Sequence, residues 1–258
     1  MRLYDNSRTV ANEDAILVDF QQRSSTVYQN HPNHTLTYGT HPRQTIDVFE
    51  CAREQAPILV FIHGGYWQWC CKEDFGFIVP SLLATGLDVL LLEYPLTPDV
   101  SFEQLVQSVG QGLDFLAQQP QWQNRQVYLC GHSAGGHLSA QWQHHAWVNH
   151  IIAISGLYDL QPLVHTHLNE ALKLSKQDIV QYSPSRHTAS TKPLHIAYGL
   201  EELDELQWQS SHYAEQLMQQ GFHPIVHPMT HTNHYTILDN IFNTTDATLA
   251  RLLEITQA

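Results

Sequence analysis

The chain has 258 residues, enough for one large α/β domain with a substantial core. Its 25 acidic residues against 12 basic ones give a net charge of −13. Nucleic acid and anionic membrane surfaces both select basic faces, so neither is an expected partner, and a small-molecule substrate is.

The first residues, Met1 to Arg8, lack the apolar core of a signal peptide, and apolar runs such as residues 89–92 are strand-sized rather than membrane-spanning. A cytoplasmic location is therefore expected. Residues 1–40 are polar and mixed, with a helix predicted at 13–20 and a loop through His31, Pro32 and Asn33. Residues 45–49 alternate and read as a strand. Residues 57–62 are apolar without alternation, the pattern of a strand buried on both faces. An amphipathic helix follows at 74–85, stopped by Gly86, then a strand at 87–92. Ser101 caps a helix running towards Gln118, with Glu103 in its first turn. Strands are predicted at 126–130, 150–154, 194–198 and 223–227. Helices are predicted at 136–142, at 206–220 up to Gly221, and from Thr236 or Asp239 to 255. Strands alternating with helices imply an α/β fold, with a mainly parallel central sheet and helices on both faces. One domain, 1–258, is the simplest organisation. Residues 157–190 carry no clear strand and suggest a small insertion near the site.

Functional residues belong past the carboxyl ends of such strands. Gly131-His132-Ser133-Ala134-Gly135 lies there, between a predicted strand and a predicted helix, as a nucleophile elbow requires. Small neighbours are needed because the serine sits on a sharp turn. After the strand at 57–62 comes His63-Gly64-Gly65-Tyr66-Trp67. A glycine pair lets backbone N–H groups turn inward, and Gly65, Tyr66 and Ala134 are the candidate oxyanion donors, with Gly64 shaping the turn or donating itself. A serine hydroxyl needs a base, which in this fold follows the last strand. His227, His231 and His234 all qualify, and His234 is favoured because it immediately precedes the final helical segment. The acid belongs just beyond the strand at 194–198. Position favours Glu202, with Asp204 as the alternative. Aromatic residues gather at the same predicted edge: Tyr66, Trp67, Trp69, Tyr94, Tyr158 and Tyr235. They suit either an aromatic substrate or packing beneath loops.

The 18 histidines include close pairs, but no metal-binding spacing such as H-E-x-x-H appears, so no metal is expected. The four cysteines, two of them adjacent, read as reduced thiols.

Taken together, these residues resemble the serine-hydrolase type of kynurenine formamidase (arylformamidase) and related bacterial esterases, within the α/β-hydrolase fold. His63-Gly64-Gly65-Tyr66-Trp67 matches the family's H-G-G-x-W oxyanion motif, and 131–136 its nucleophile motif. The stretches 94–98, 100–107 and 155–160 also match, as do Ser183-Pro184, the acid segment from Tyr198 to Ser210, and Asn233-His234-Tyr235. The resemblance runs from about residue 38 onward. It implies a Ser133-His234-Glu202 triad, with glutamate where the family often has aspartate and Tyr235 where phenylalanine is more usual. It also implies no cofactor and an N-formylkynurenine-type substrate of tryptophan catabolism, contacted by Trp67, Tyr94, Tyr158 and Tyr235. Arg186 and Asn169 are the candidates to meet a substrate carboxylate. A broad carboxylesterase on short acyl esters is the alternative, and an inactive binding module a minor one. A homodimer is compatible with the sequence.

Overall fold

The apolar runs become the centre of one eight-stranded sheet. The computed structural model describes residues 4–242. The strands are β1 (His34–Thr37), β2 (Thr45–Phe49), β3 (Ile58–Ile62), β4 (Asp88–Leu92), β5 (Val127–His132), β6 (His150–Ile154), β7 (Leu194–Gly199) and β8 (Ile225–Met229). Their spatial order is β1-β2-β4-β3-β5-β6-β7-β8. The β1–β2 and β2–β4 pairs are antiparallel, and every later pair is parallel. Every residue of β3, β4 and β5 is buried, which is why these strands read as unbroken apolar runs. Alternate side chains feed opposite layers: Ile58, Val60 and Ile62 join one core, and Leu59 and Phe61 the other.

The helices are α1 (Glu13–Asn30), α2 (Val79–Ala84), α3 (Phe102–Ala117), α4 (Ala134–Gln141), α5 (Asn169–Leu172), α6 (Lys176–Tyr182), α7 (Asp204–Gln219) and α8 (Thr236–Phe242). None among the described residues is long and apolar enough to cross a membrane. Ser101 caps α3 as expected: its Oγ accepts from the Gln104 N–H, and the Gln104 side chain accepts from the Ser101 N–H. The helix predicted at 74–85 divides into a 3₁₀ stretch, Lys72–Ile78, and α2. Pro80 lacks an N–H and fits the first turn of α2, which sets the break. Helix α1 runs well past residue 20, because no glycine or proline interrupts it before Pro32. It is held on the 3₁₀ stretch by Ser24, which donates to the Asp74 carbonyl at 2.9 Å and accepts from the Phe77 N–H at 3.0 Å.

Two strands differ from expectation. Short, largely exposed β1 carries no apolar signal. Strand β8 starts two residues late, after Pro224, and as an edge strand it tolerates Pro228. Between β6 and β7 the chain forms α5, α6 and short 3₁₀ turns, with no strand. The predicted continuation of α8 to residue 255 lies outside the described residues.

One buried histidine sets an acid limit on this fold. His137 on α4 is fully buried against Trp67 and donates from Nε2 to the Tyr182 carbonyl at 2.7 Å. Burial lowers its pKa to about 4. An unfolded chain protonates this ring near pH 6.5, so its stabilising contribution is complete above that pH and is lost as pH falls towards 4. At about 1.4 kcal/mol per pH unit, His137 alone removes roughly 3 kcal/mol across that window. Urea unfolding at a series of pH values should show this decline, and His137→Gln should make it shallower, leaving the part due to His132, whose pKa burial also lowers.

Candidate active site

The elbow is shaped by steric limits on both sides of Ser133. Strand β5 delivers the chain to Ser133, which takes φ 57° and ψ −117° before α4 begins at Ala134. That positive φ is strained for a residue with a Cβ, and functional sites are where such strain is retained. The Ser133 N–H is pinned to the Ile154 carbonyl at 2.8 Å. A Cβ on Gly135 would fall 1.9 Å from the Ile62 carbonyl oxygen, and one on Gly131 would fall 2.1 Å from that of Gly135. The two flanking glycines are therefore demanded by close packing of β3, β5 and α4.

Beyond β7, the Glu202 side chain turns inward and is fully buried. Its Oε1 accepts from the Gly199 N–H at 2.7 Å and from the Ser155 hydroxyl at 2.6 Å. Its Oε2 lies 3.2 Å from His234 Nδ1. This carboxylate fixes the proton on Nδ1 and leaves Nε2 as an acceptor. Ser133 and His234 line one cavity of about 290 Å³. The alternatives diverge here. Asp204 is exposed on the first turn of α7, His231 is 94% exposed beside Glu201, and His227 on β8 faces His195. Behind the site, His132 donates from Nε2 to the His234 carbonyl at 2.9 Å. Burial, followed by the neighbouring His234, holds the His132 pKa well below its usual value. His132 is therefore a neutral brace at neutral pH.

The loop after β3 meets the elbow. Gly65 has φ +103°, and a Cβ there would lie 2.2 Å from the Trp69 carbonyl oxygen, so the turn accepts only glycine. Among the described residues the N–H groups of Gly65 and Tyr66 bond to no acceptor. The Ala134 N–H, first in α4, has no intrahelical partner. Gly64 closes the corner, its α-carbon facing the His132 carbonyl and the Ser133 Cβ. Buried Glu93 anchors the loop from below, bonding His63 Nε2 at 2.9 Å and the Arg43 guanidinium at 2.8 Å. Burial works to raise the Glu93 pKa, but the ion pairs with His63 and Arg43 outweigh it and hold the carboxyl below its usual range.

Three expected substrate contacts are corrected. Trp67, Tyr94 and Tyr158 are fully buried and do not line the cavity. The Trp67 carbonyl accepts from the Thr97 N–H, and the Tyr94 hydroxyl donates to the His63 carbonyl, so both brace the loop. Tyr158 stacks on Tyr213 at 4.3 Å. Tyr235 does line the cavity, as do Tyr66 and Trp69. Neither candidate for a carboxylate faces it: Arg186 pairs with Asp159, and Asn169 Oδ1 accepts from the Leu174 N–H. Cys70 also lines the cavity, but burial pushes its thiol pKa up to about 12, so it stays protonated at neutral pH. The sequence reading missed one wall entirely. Tyr4, Asp5, Asn6, Glu13, Leu17 and Phe20 supply it from the start of the chain. Among the described residues no group of three His, Cys, Asp or Glu is arranged to hold a metal ion.

Comparison with known proteins places the chain among hydrolases. The BD-FAE family model matches residues 46–143, which include the Gly64-Gly65 loop and the turn at Ser133. Kynurenine formamidase of Drosophila melanogaster is 30% identical over 226 residues, covering 79% of this chain and 75% of that protein. Kynurenine formamidase of Danio rerio is 28% identical over 220 residues, with the same coverage. A crystal structure from Silicibacter superposes with a TM-score of 0.87 at 21% identity over 97% of both chains. The hyperthermophilic esterase of Pyrobaculum calidifontis superposes at 0.72 with 16% identity, covering 95% of this chain and 92% of that one. These two structures share the fold. The chain belongs to the kynurenine formamidase family and is a hydrolase of the α/β-hydrolase fold.

Proposed function

We propose that this hydrolase removes a small acyl group, formyl above all, from an aryl amide of the N-formylkynurenine type, by way of an acyl-enzyme on Ser133. The observation that carries the reading is the buried Glu202–His234 pair at the cavity that Ser133 lines. His234 Nε2 takes the Ser133 proton as Oγ attacks the acyl carbonyl. The N–H groups of Gly65, Tyr66 and Ala134 receive the developing oxyanion. His234 then returns the proton to the leaving arylamine, and water, activated by the same ring, releases formate and restores Ser133. Glu202 keeps the ring in the required tautomer and stabilises the imidazolium. The walls formed by Tyr66, Trp69, Phe75 and Tyr235 suit an aromatic leaving group.

A second reading, a carboxylesterase on short acyl esters, uses the same residues. The likeness to an esterase structure and the largely apolar cavity favour it. The ratio of kcat/KM for N-formylkynurenine and a short-chain aryl ester separates the two. The formamidase reading expects the amide to react at least as efficiently as the ester, although esters are intrinsically easier to cleave. An amide rate hundreds of times below the ester rate would establish the esterase.

A further inference from the structure

One dipeptide touches both the nucleophile and the acid. Strand β6 lies between β5, which delivers Ser133, and β7, which leads into the loop carrying Glu202. The carbonyl of Ile154, the last residue of β6, accepts the Ser133 N–H at 2.8 Å. The next residue, Ser155, is fully buried, and its hydroxyl donates to Glu202 Oε1 at 2.6 Å. The Ser155 N–H is held in turn by the Ala197 carbonyl of β7 at 2.7 Å. Ser155 has φ 51°, a left-handed value that glycine adopts without strain and serine does not. A hydroxyl is therefore retained where the backbone alone favours glycine. Ser155 lies outside the cavity lining, so it acts on the triad from behind and not on the substrate.

We infer that Ser155 is a positioning residue of the triad, whose hydroxyl sets the rotation of the Glu202 carboxylate so that Oε2 meets His234 Nδ1. This role presupposes the Ser133–His234–Glu202 triad proposed above, and it holds for amide and ester substrates alike. Glutamate has one more rotatable bond than aspartate, and its terminal torsion is broad and roughly two-fold. Some contact must therefore choose which carboxylate oxygen faces the ring. Oε1 takes two donors, the Ser155 hydroxyl and the Gly199 N–H at 2.7 Å, and Oε2 is left to His234 at 3.2 Å. A hydroxyl 2.6 Å from a carboxylate is a bond of the short, charge-assisted kind. Without it the carboxylate keeps one anchor on Oε1 and can swing about it. The His234 ring then loses its fixed partner, and with it the tautomer that leaves Nε2 free to take the Ser133 proton. The loss falls on proton transfer and not on substrate binding.

The rate at which a fluorophosphonate labels Ser133, followed by mass spectrometry, tests this without a choice of substrate. Ser155→Ala should slow labelling by roughly tenfold to a hundredfold, the span expected for a hydrogen bond to a charged group. Ser155→Gly removes the same hydroxyl at a φ that glycine accepts, should slow labelling as much, and decides the matter if the alanine variant does not fold. In turnover, kcat and kcat/KM should fall by the same factor, the mark of an interaction made only in the transition state. A cycle with Glu202→Gln separates positioning from general loosening. In the Glu202→Gln protein the ring already holds the wrong tautomer, so adding Ser155→Ala should change the labelling rate little. A loss below about tenfold in the folded Ser155 variants would overturn the role, as would an equal loss in both backgrounds. A wild-type protein that the reagent does not label at Ser133 rejects the triad itself. Labelling of the wild type with unaffected Ser155 variants rejects only the part given to Ser155.

Discussion

Ser133→Ala is expected to lower kcat/KM by about a million-fold, the scale seen when a triad serine is removed. The thermal midpoint should stay close to that of the wild-type protein. The two outcomes separate because the proposed mechanism uses the Ser133 hydroxyl for the chemistry, whereas the fold does not lean on it. Its side chain does not cap α4, and its backbone N–H bond to Ile154 survives the change. Alanine keeps the Cβ and therefore the strain at φ 57°. No nearby group takes over, since the Cys70 thiol is protonated at neutral pH. Steady-state kinetics with a thermal melt check both parts. Activity within a hundredfold of wild type would remove Ser133 from the mechanism, as would a fluorophosphonate that failed to label it.

Glu202→Gln is expected to cost about ten-thousandfold in kcat, the scale of the equivalent acid-to-amide change in a serine triad. The new Oε1 can still accept from Gly199 N–H and Ser155 Oγ, which places the amide nitrogen where Oε2 met His234. That nitrogen is a donor, so Nδ1 must become the acceptor and Nε2 must carry the proton. A protonated Nε2 cannot take the Ser133 proton. Asp204→Asn provides the contrast, because Asp204 is exposed at the start of α7 and should change kcat little. A large loss in Asp204→Asn with near-normal Glu202→Gln would exchange the two roles.

The parts of the site that could be read from the residues are those fixed by neighbours in the chain. The elbow glycines and the Gly64-Gly65 turn answer contacts that any chain following this path must satisfy. Glu202 was accessible because its carboxylate folds back on Gly199, three residues earlier. Side-chain direction was not. Trp67 and Tyr94 stand at the right edge of the sheet, yet they point into the core and brace the loop after β3, and nothing in their identity distinguishes bracing from binding. The N-terminal wall left no local trace either. Helix α1 buries only Phe20, Ser24 and Val27 across 18 residues, too sparse a stripe to announce a role. The break before α2 and the late start of β8 follow from prolines whose effect depends on the partner they meet.

The missed wall also bears on how the two ends of the described chain are tied together. Tyr235 bonds Glu13 across 222 residues, and Arg23 bonds Asp239 across 216. The elbow and the Gly64-Gly65 loop, by contrast, are joined through adjacent parallel strands β3 and β5. Closure entropy grows only with the logarithm of loop length, so these contacts cost about 1 kcal/mol more to close than the β3–β5 pairing. The space meant for the substrate therefore joins the two ends of the described chain, while the serine and the loop that faces it are joined through neighbouring strands.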